Sequence, residues 1–167
     1  MSPRRVLRER KAHCLEGAML GAAAFWLNGE RPLLLDLKTD GRDTDHVVAL
    51  YRRYGRWGAV SKTNHAVLRY REPVYRTIRE LALSYFHEYF LDNGQKTMRS
   101  YSQPLDLRRF NKRSWMTAEQ DVWYINDALD AAYHLSFIPL GVRRSLRKAD
   151  LIEIAAGKLV EWGKRGE

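Results

Sequence analysis

The segment from Cys14 to Leu27 is the feature that most constrains how this chain can fold. It contains no proline and one charged residue, Glu16, and small side chains alternate with bulky ones along it. Asn28-Gly29 follows as a stop signal. A helix that is apolar on all sides is buried, and its small residues allow neighbouring elements to approach closely. We therefore predict a central helix over 14–27, which is too short to span a membrane.

Strand and helix patterns of different lengths follow this helix. Short apolar or alternating runs predict strands over 33–37, 46–52 and 57–62, with a hairpin turn at Tyr54-Gly55. Further along, the sequence predicts a helix over 73–91 that starts at Pro73, extended chain over 96–107, a helix over 117–136 and a final helix over 149–162. These elements predict an α+β protein.

Composition narrows the classes of function. The chain has 167 residues, 45% of them hydrophobic, which is typical of one domain with a real core. The single cysteine excludes an internal disulfide and argues against a structural zinc site. A net charge of +9 favours acidic partners. Because no nucleic-acid motif is present, we expect no specific nucleic-acid binding. We also expect no membrane association and a cytoplasmic location.

Cys14 is the first candidate for chemistry, because it falls at the start of the predicted helix. The helix dipole and free backbone N–H groups at that end favour a thiolate, which is the nucleophilic form of cysteine. The same N–H groups face the position where an oxyanion would develop. Position alone leaves open whether Cys14 is a nucleophile or a small core residue.

His46 is the second candidate, at the first position of a predicted strand after a polar loop. A base held by a rigid element and reachable from solvent suits catalysis. If the hairpin turns around Arg53 and Tyr54, His46 lies opposite residue 61, within one residue. Ser61 would then contact the imidazole and orient it, as a cysteine–histidine pair requires. The alternative for His46 is a strand histidine with a single hydrogen bond.

The order of these parts resembles that of the transglutaminase-like superfamily, which is related to papain. Its histidine strand often reads HAWVEVY, and the next strand ends in DPTN; the corresponding stretches here are HVVALY at 46–51 and SKTN at 61–64. Longer stretches, among them AHCLEGAMLGAAA and DHVVALYRRYGRWGAVSKTNH, resemble an uncharacterised bacterial branch of that superfamily over most of the chain.

This resemblance implies an architecture. A papain/transglutaminase-like core of one buried helix packed on a small antiparallel sheet would occupy about residues 12–92. An extended and helical extension would follow over 93–167, within one domain spanning 1–167.

The resemblance also implies a chemistry. Cys14 would be the nucleophile and His46 the general base and acid in acyl transfer through a thioester, acting on an amide, peptide or isopeptide without cofactor or metal. Ser61 stands where the superfamily usually has Asp, and Asn64 is a second candidate for orienting the imidazole. The alternative is a catalytically inactive binding module of the same fold, for an acidic partner. Neither interpretation predicts the identity of the substrate or the oligomeric state.

Overall fold

The computed structural model describes residues 1–159. Its α-helices are α1 (Pro3–Glu9), α2 (Cys14–Leu27), α3 (Ile78–Leu83), α4 (Trp123–Asp130), α5 (Leu140–Arg143) and α6 (Leu151–Gly157). Short 3₁₀ helices occupy Ala66–Leu68, Phe86–Glu88 and Leu107–Arg113. The strands are β1 (Leu33–Lys38), β2 (His46–Arg53), β3 (Arg56–Val60), β4 (Tyr70–Tyr75), β5 (Ser100–Ser102), β6 (Leu105–Asp106) and β7 (His134–Ser136). The predicted α+β class is confirmed.

One antiparallel sheet organises these elements. The strand order is β4-β3-β2-β1-β5-β7, and β6 also pairs with β1. The predicted hairpin turn at Tyr54-Gly55 is confirmed, and both residues have positive φ angles, as a two-residue hairpin of this kind requires. With seven strands among the described residues, the sheet is larger than the small one that the sequence predicted.

The sheet separates two apolar layers. One layer packs α2 against β1 and β2, with Ala18, Met19 and Ala22 of the helix fully buried. The other layer, on the opposite face, contains α3 and alternate residues of the same strands. The helix predicted over 14–27 is confirmed with its bounds, but only one side of it is buried, and Leu27 is 81% exposed. None of the described helices is both long enough and apolar enough to cross a membrane.

The helix predicted over 73–91 is wrong at its start. Pro73 lies inside β4, and the helical part is limited to α3 and the 3₁₀ helix at Phe86–Glu88. Proline lacks the N–H that a central strand would use, but β4 is an edge strand, where an open side needs no donor. Proline is thus compatible both with the first turn of a helix and with an edge strand, so Pro73 alone does not distinguish them.

The later helices are shorter than predicted. Within 117–136 the helix is only α4, and the residues at the end of the predicted span form β7, which pairs with β5. The helix predicted over 149–162 is observed as α6, while residues 160–162 lie outside the described residues. The predicted extended chain over 96–107 includes β5 and β6, and the sequence does not predict the helix α1.

Candidate functional site

A cavity of about 750 Å³ lies at the end of the sheet where β2 begins and β3 ends. Its walls come from the N-terminus of α2, the loop before β2, the segment after β3, residues 88–93 and α6. Cys14, His46 and Asn64, three of the four predicted site residues, line this cavity, whereas Ser61 does not. We call it the Cys14 pocket.

Cys14 is the first residue of α2 and is half-buried. The helix is capped in front of it, because the backbone N–H of His13 donates to Glu16 Oε2 at 2.8 Å. This cap stabilises the first turn of α2. Cys14 lies at the N-terminus of the helix, where the helix dipole favours negative charge. The predicted position of Cys14 at a helix N-terminus is confirmed.

His46 is the first residue of β2 and is 5% exposed. Its Nε2 atom is buried and has no hydrogen-bond partner among the described residues. Burial, assisted by the nearby charge of His65, lowers the pKa of His46 to about 4. The imidazole is therefore neutral at pH 7 and has a lone pair available to accept a proton.

Cys14 and His46 reach the pocket from different faces of the sheet. Val47 and Ala49 pack in the layer that contains α2, while Val48 belongs to the opposite layer. Because side chains alternate along a strand, His46 shares the face of Val48. Cys14 and His46 therefore line the same pocket at the end of the sheet. They do not face each other across the interface between α2 and the sheet.

The predicted pairing of Ser61 with His46 is contradicted by the register of the hairpin. Arg53 pairs with Arg56, so the turn residues are Tyr54 and Gly55, whereas the pairing of Ser61 with His46 requires Arg53 and Tyr54 at the turn. Continued in the same phase, that register places Ser61 opposite Val48. The Ser61 hydroxyl instead donates to the carbonyl of Leu68 at 2.7 Å, which ties the end of β3 to the following 3₁₀ turn.

Asn64 lines the pocket, but its side chain is engaged elsewhere. Its Oδ1 accepts a hydrogen bond from Lys62 Nζ at 2.6 Å. Lys62 in turn packs against α2 at Gly17, where a Cβ atom would overlap the Cβ of Lys62. The sequence does not by itself predict Lys62 as a pocket residue. The available signal is Gly17, three residues after Cys14, which permits a close neighbour on that side of the helix.

His65, which follows Asn64 in the sequence, is a further residue of the Cys14 pocket. Its Nδ1 lies 3.0 Å from the carbonyl oxygen of Gly157 in α6. Because a carbonyl only accepts, the Nδ1–H of His65 donates this hydrogen bond. The contact could not be foreseen, since nothing in the local sequence connects residue 65 with a helix near residue 157.

The loop before β2 contributes two carboxylates to the pocket lining, Asp43 and Asp45, and both have hydrogen-bond partners. Asp45 accepts from Lys38 Nζ and from the N–H of Thr39, both at 2.8 Å. Although burial acts to raise the pKa of the Asp45 carboxyl, these contacts hold it below its ordinary value. Asp43 accepts from the hydroxyl of Thr97 at 2.8 Å. Both carboxylates thus fix the loop in place.

No group of three or more potential metal ligands occurs among residues 1–159. Comparison with known proteins gives no relative from which to transfer a role, since no protein-family model and no curated protein matches this chain. Any function therefore has to be argued from the Cys14 pocket itself.

Proposed function

We propose that this protein is a transglutaminase-like, papain-related cysteine hydrolase, in which Cys14 attacks an amide, peptide or isopeptide carbonyl and His46 acts as base and acid. The order of helix with cysteine, strand with histidine and adjoining strand supports the assignment to that superfamily. A free thiol also suits the reducing cytoplasm, where we place the protein.

One observation carries this proposal: the buried Nε2 of His46 has no partner among the described residues, in the wall of the pocket that also contains Cys14. An unsatisfied buried polar atom costs about 1–3 kcal/mol, so a native protein that keeps one needs a reason. A base that must receive a proton during a reaction supplies such a reason.

The proposed reaction uses the neutral state of His46. Cys14 Sγ attacks the carbonyl carbon while the thiol proton passes to the imidazole, and backbone N–H groups at the start of α2 stabilise the oxyanion. The C–N bond then breaks, and the amine leaves with that proton. Water attacks the resulting thioester as His46 accepts one of its protons. Release of the carboxylic acid returns that proton to the sulfur.

A second candidate function is a binding module without catalysis. It is favoured by the hydrogen bonds of Ser61 and Asn64, whose side chains bind Leu68 and Lys62 rather than the imidazole. In this case Cys14 and His46 are neighbours in a ligand pocket and do not act as a pair. The net charge of +9 favours an acidic ligand.

Acylation by p-nitrophenyl acetate separates the two functions. For the hydrolase we expect a burst of p-nitrophenolate, acetylation of Cys14 detected by intact-protein mass spectrometry, and then slow turnover. Replacement His46→Ala should slow hydrolysis of the acetyl-enzyme by about 100-fold, because general acid–base catalysis contributes at least that much.

The matched control is His87→Ala, since His87 is an exposed histidine outside the pocket. It should hydrolyse the acetyl-enzyme at the rate of the unmodified protein, and Cys14→Ser should give no burst. Equal hydrolysis rates in His46→Ala and His87→Ala would reject the pairing of Cys14 with His46 and favour the binding module.

A further inference from the structure

Helix α6 forms one wall of the Cys14 pocket. Ile154 and Gly157 of this helix line the cavity that also contains Cys14 and His46. Among the described residues, α6 comes after every strand of the sheet. Its position therefore restricts the pocket without contributing to the sheet that holds His46 or to the helix that holds Cys14.

Among the described residues, hydrogen bonds at both ends of α6 hold it in this position. At its start, the N–H of Ala149 donates to the carbonyl of Gly94 at 2.8 Å. At its end, His65 binds the carbonyl of Gly157, and the N–H of Ala66 donates to the carbonyl of Leu159 at 3.3 Å. These hydrogen bonds join backbone groups and the side chain of His65.

The apolar residues of α6 remain largely in solvent. Leu151 is 86% exposed and Ile152 is 77% exposed, and no residue of the helix is buried. Burial of apolar surface is the main source of packing stability, so an element without it has a low free energy of local opening.

We propose that α6 is a displaceable cover of the Cys14 pocket. When it is docked, the pocket is bounded on that side by Ile154 and Gly157. When α6 opens, the cavity becomes a groove that accepts an extended peptide. The relevance of the cover to substrate choice rests on the proposed function, but access to the Cys14 thiol can be measured whether or not the protein is a hydrolase.

The contact at Gly94 offers a variant that weakens docking. Gly94 has a φ of +79°, and a Cβ there would lie 2.6 Å from the carbonyl oxygen and 3.2 Å from the nitrogen of Ala149. Gly94→Ala should therefore push Ala149 and α6 outwards. Gly41→Ala is the matched control, because Gly41 has a φ of +84° and a Cβ added there would meet no atom within 4 Å.

A second variant acts at the other end of the helix and keeps the test decisive if Gly94→Ala does not fold. Gly157→Ala would place a Cβ 3.2 Å from the ring of Phe90, whereas Gly141→Ala, its control, meets nothing within 4 Å. For each folded variant, amide hydrogen exchange over residues 151–157 reports opening. Alkylation of Cys14 at pH 9 by iodoacetamide and by a bulky fluorescein maleimide reports access.

We expect faster exchange in α6 and a rise of about tenfold in the maleimide rate relative to the iodoacetamide rate, as opening becomes more populated. Both glycine controls should match the unmodified protein. Faster exchange with an unchanged rate ratio would overturn the proposal, because α6 would then not restrict access. Unchanged exchange in both destabilised variants would also overturn it, because α6 would not be displaceable.

Discussion

At the scale of single residues, His46 should make the stability of the protein depend on pH. Its folded pKa of about 4 lies below the ordinary value of 6.5, so on acidification the unfolded chain binds a proton that the folded protein does not. Stability is therefore lost as pH falls from about 6.5 to about 4, by at most about 3 kcal/mol.

Urea unfolding at several pH values measures this effect. In His46→Gln that part of the pH dependence should disappear, whereas His87→Gln should keep it, since His87 is exposed. A pH profile that is identical in His46→Gln and in the unmodified protein would mean that the imidazole of His46 titrates normally in the fold.

Ser61 should matter for stability and not for the imidazole. Because its hydroxyl donates to the carbonyl of Leu68, Ser61→Ala removes one hydrogen bond and should cost about 1 kcal/mol. The pKa of His46 should not change, since Ser61 lies outside the pocket. An NMR titration of the His46 ring in both proteins checks this prediction. A shifted His46 titration in Ser61→Ala would restore Ser61 as the orienting residue.

At the scale of elements, the contact between α2 and the end of β3 predicts an unusual cost for a helix-favouring change. Alanine is normally better than glycine inside a helix by about 1 kcal/mol. At Gly17, however, the added Cβ would overlap Lys62. Gly17→Ala should therefore destabilise the protein by about 1–3 kcal/mol through overpacking.

Gly141→Ala in α5 is the matched control, because its added Cβ meets no atom within 4 Å. It should leave the midpoint of thermal unfolding unchanged or raise it, while Gly17→Ala lowers it. A midpoint of thermal unfolding that rises in Gly17→Ala would show that α2 and Lys62 can move apart without loss of stability.

The elements that can be predicted from the sequence are those whose patterns are local. The apolar run of α2 and the turn between β2 and β3 each contain their own signals, and both are confirmed. The prediction for Pro73 is wrong because its meaning depends on the open edge of the sheet, which forms from residues distant in sequence. In the candidate site, Cys14 and His46 line one pocket, whereas a register error of one residue in the turn misplaces Ser61.

At the scale of the whole molecule, the sheet joins the two halves of the chain. Strand β1 pairs with β2 on one side and with β5 and β6 on the other. The strands therefore share apolar layers and should unfold together. We expect coincident urea transitions by far-UV circular dichroism and by tryptophan fluorescence, to which the buried Trp115 contributes. Separate transitions would show that the residues before and after 92 are independent units.

The pairing of β1 also affects how the protein folds during its synthesis. Leu37 pairs with His46, which follows soon in the chain, and with Tyr101, which the ribosome adds much later. Until then, one edge of an apolar strand stays open, and open apolar edges are where strands of different chains associate. During synthesis, β1 is therefore open to association with other chains until the residues of β5 have been added.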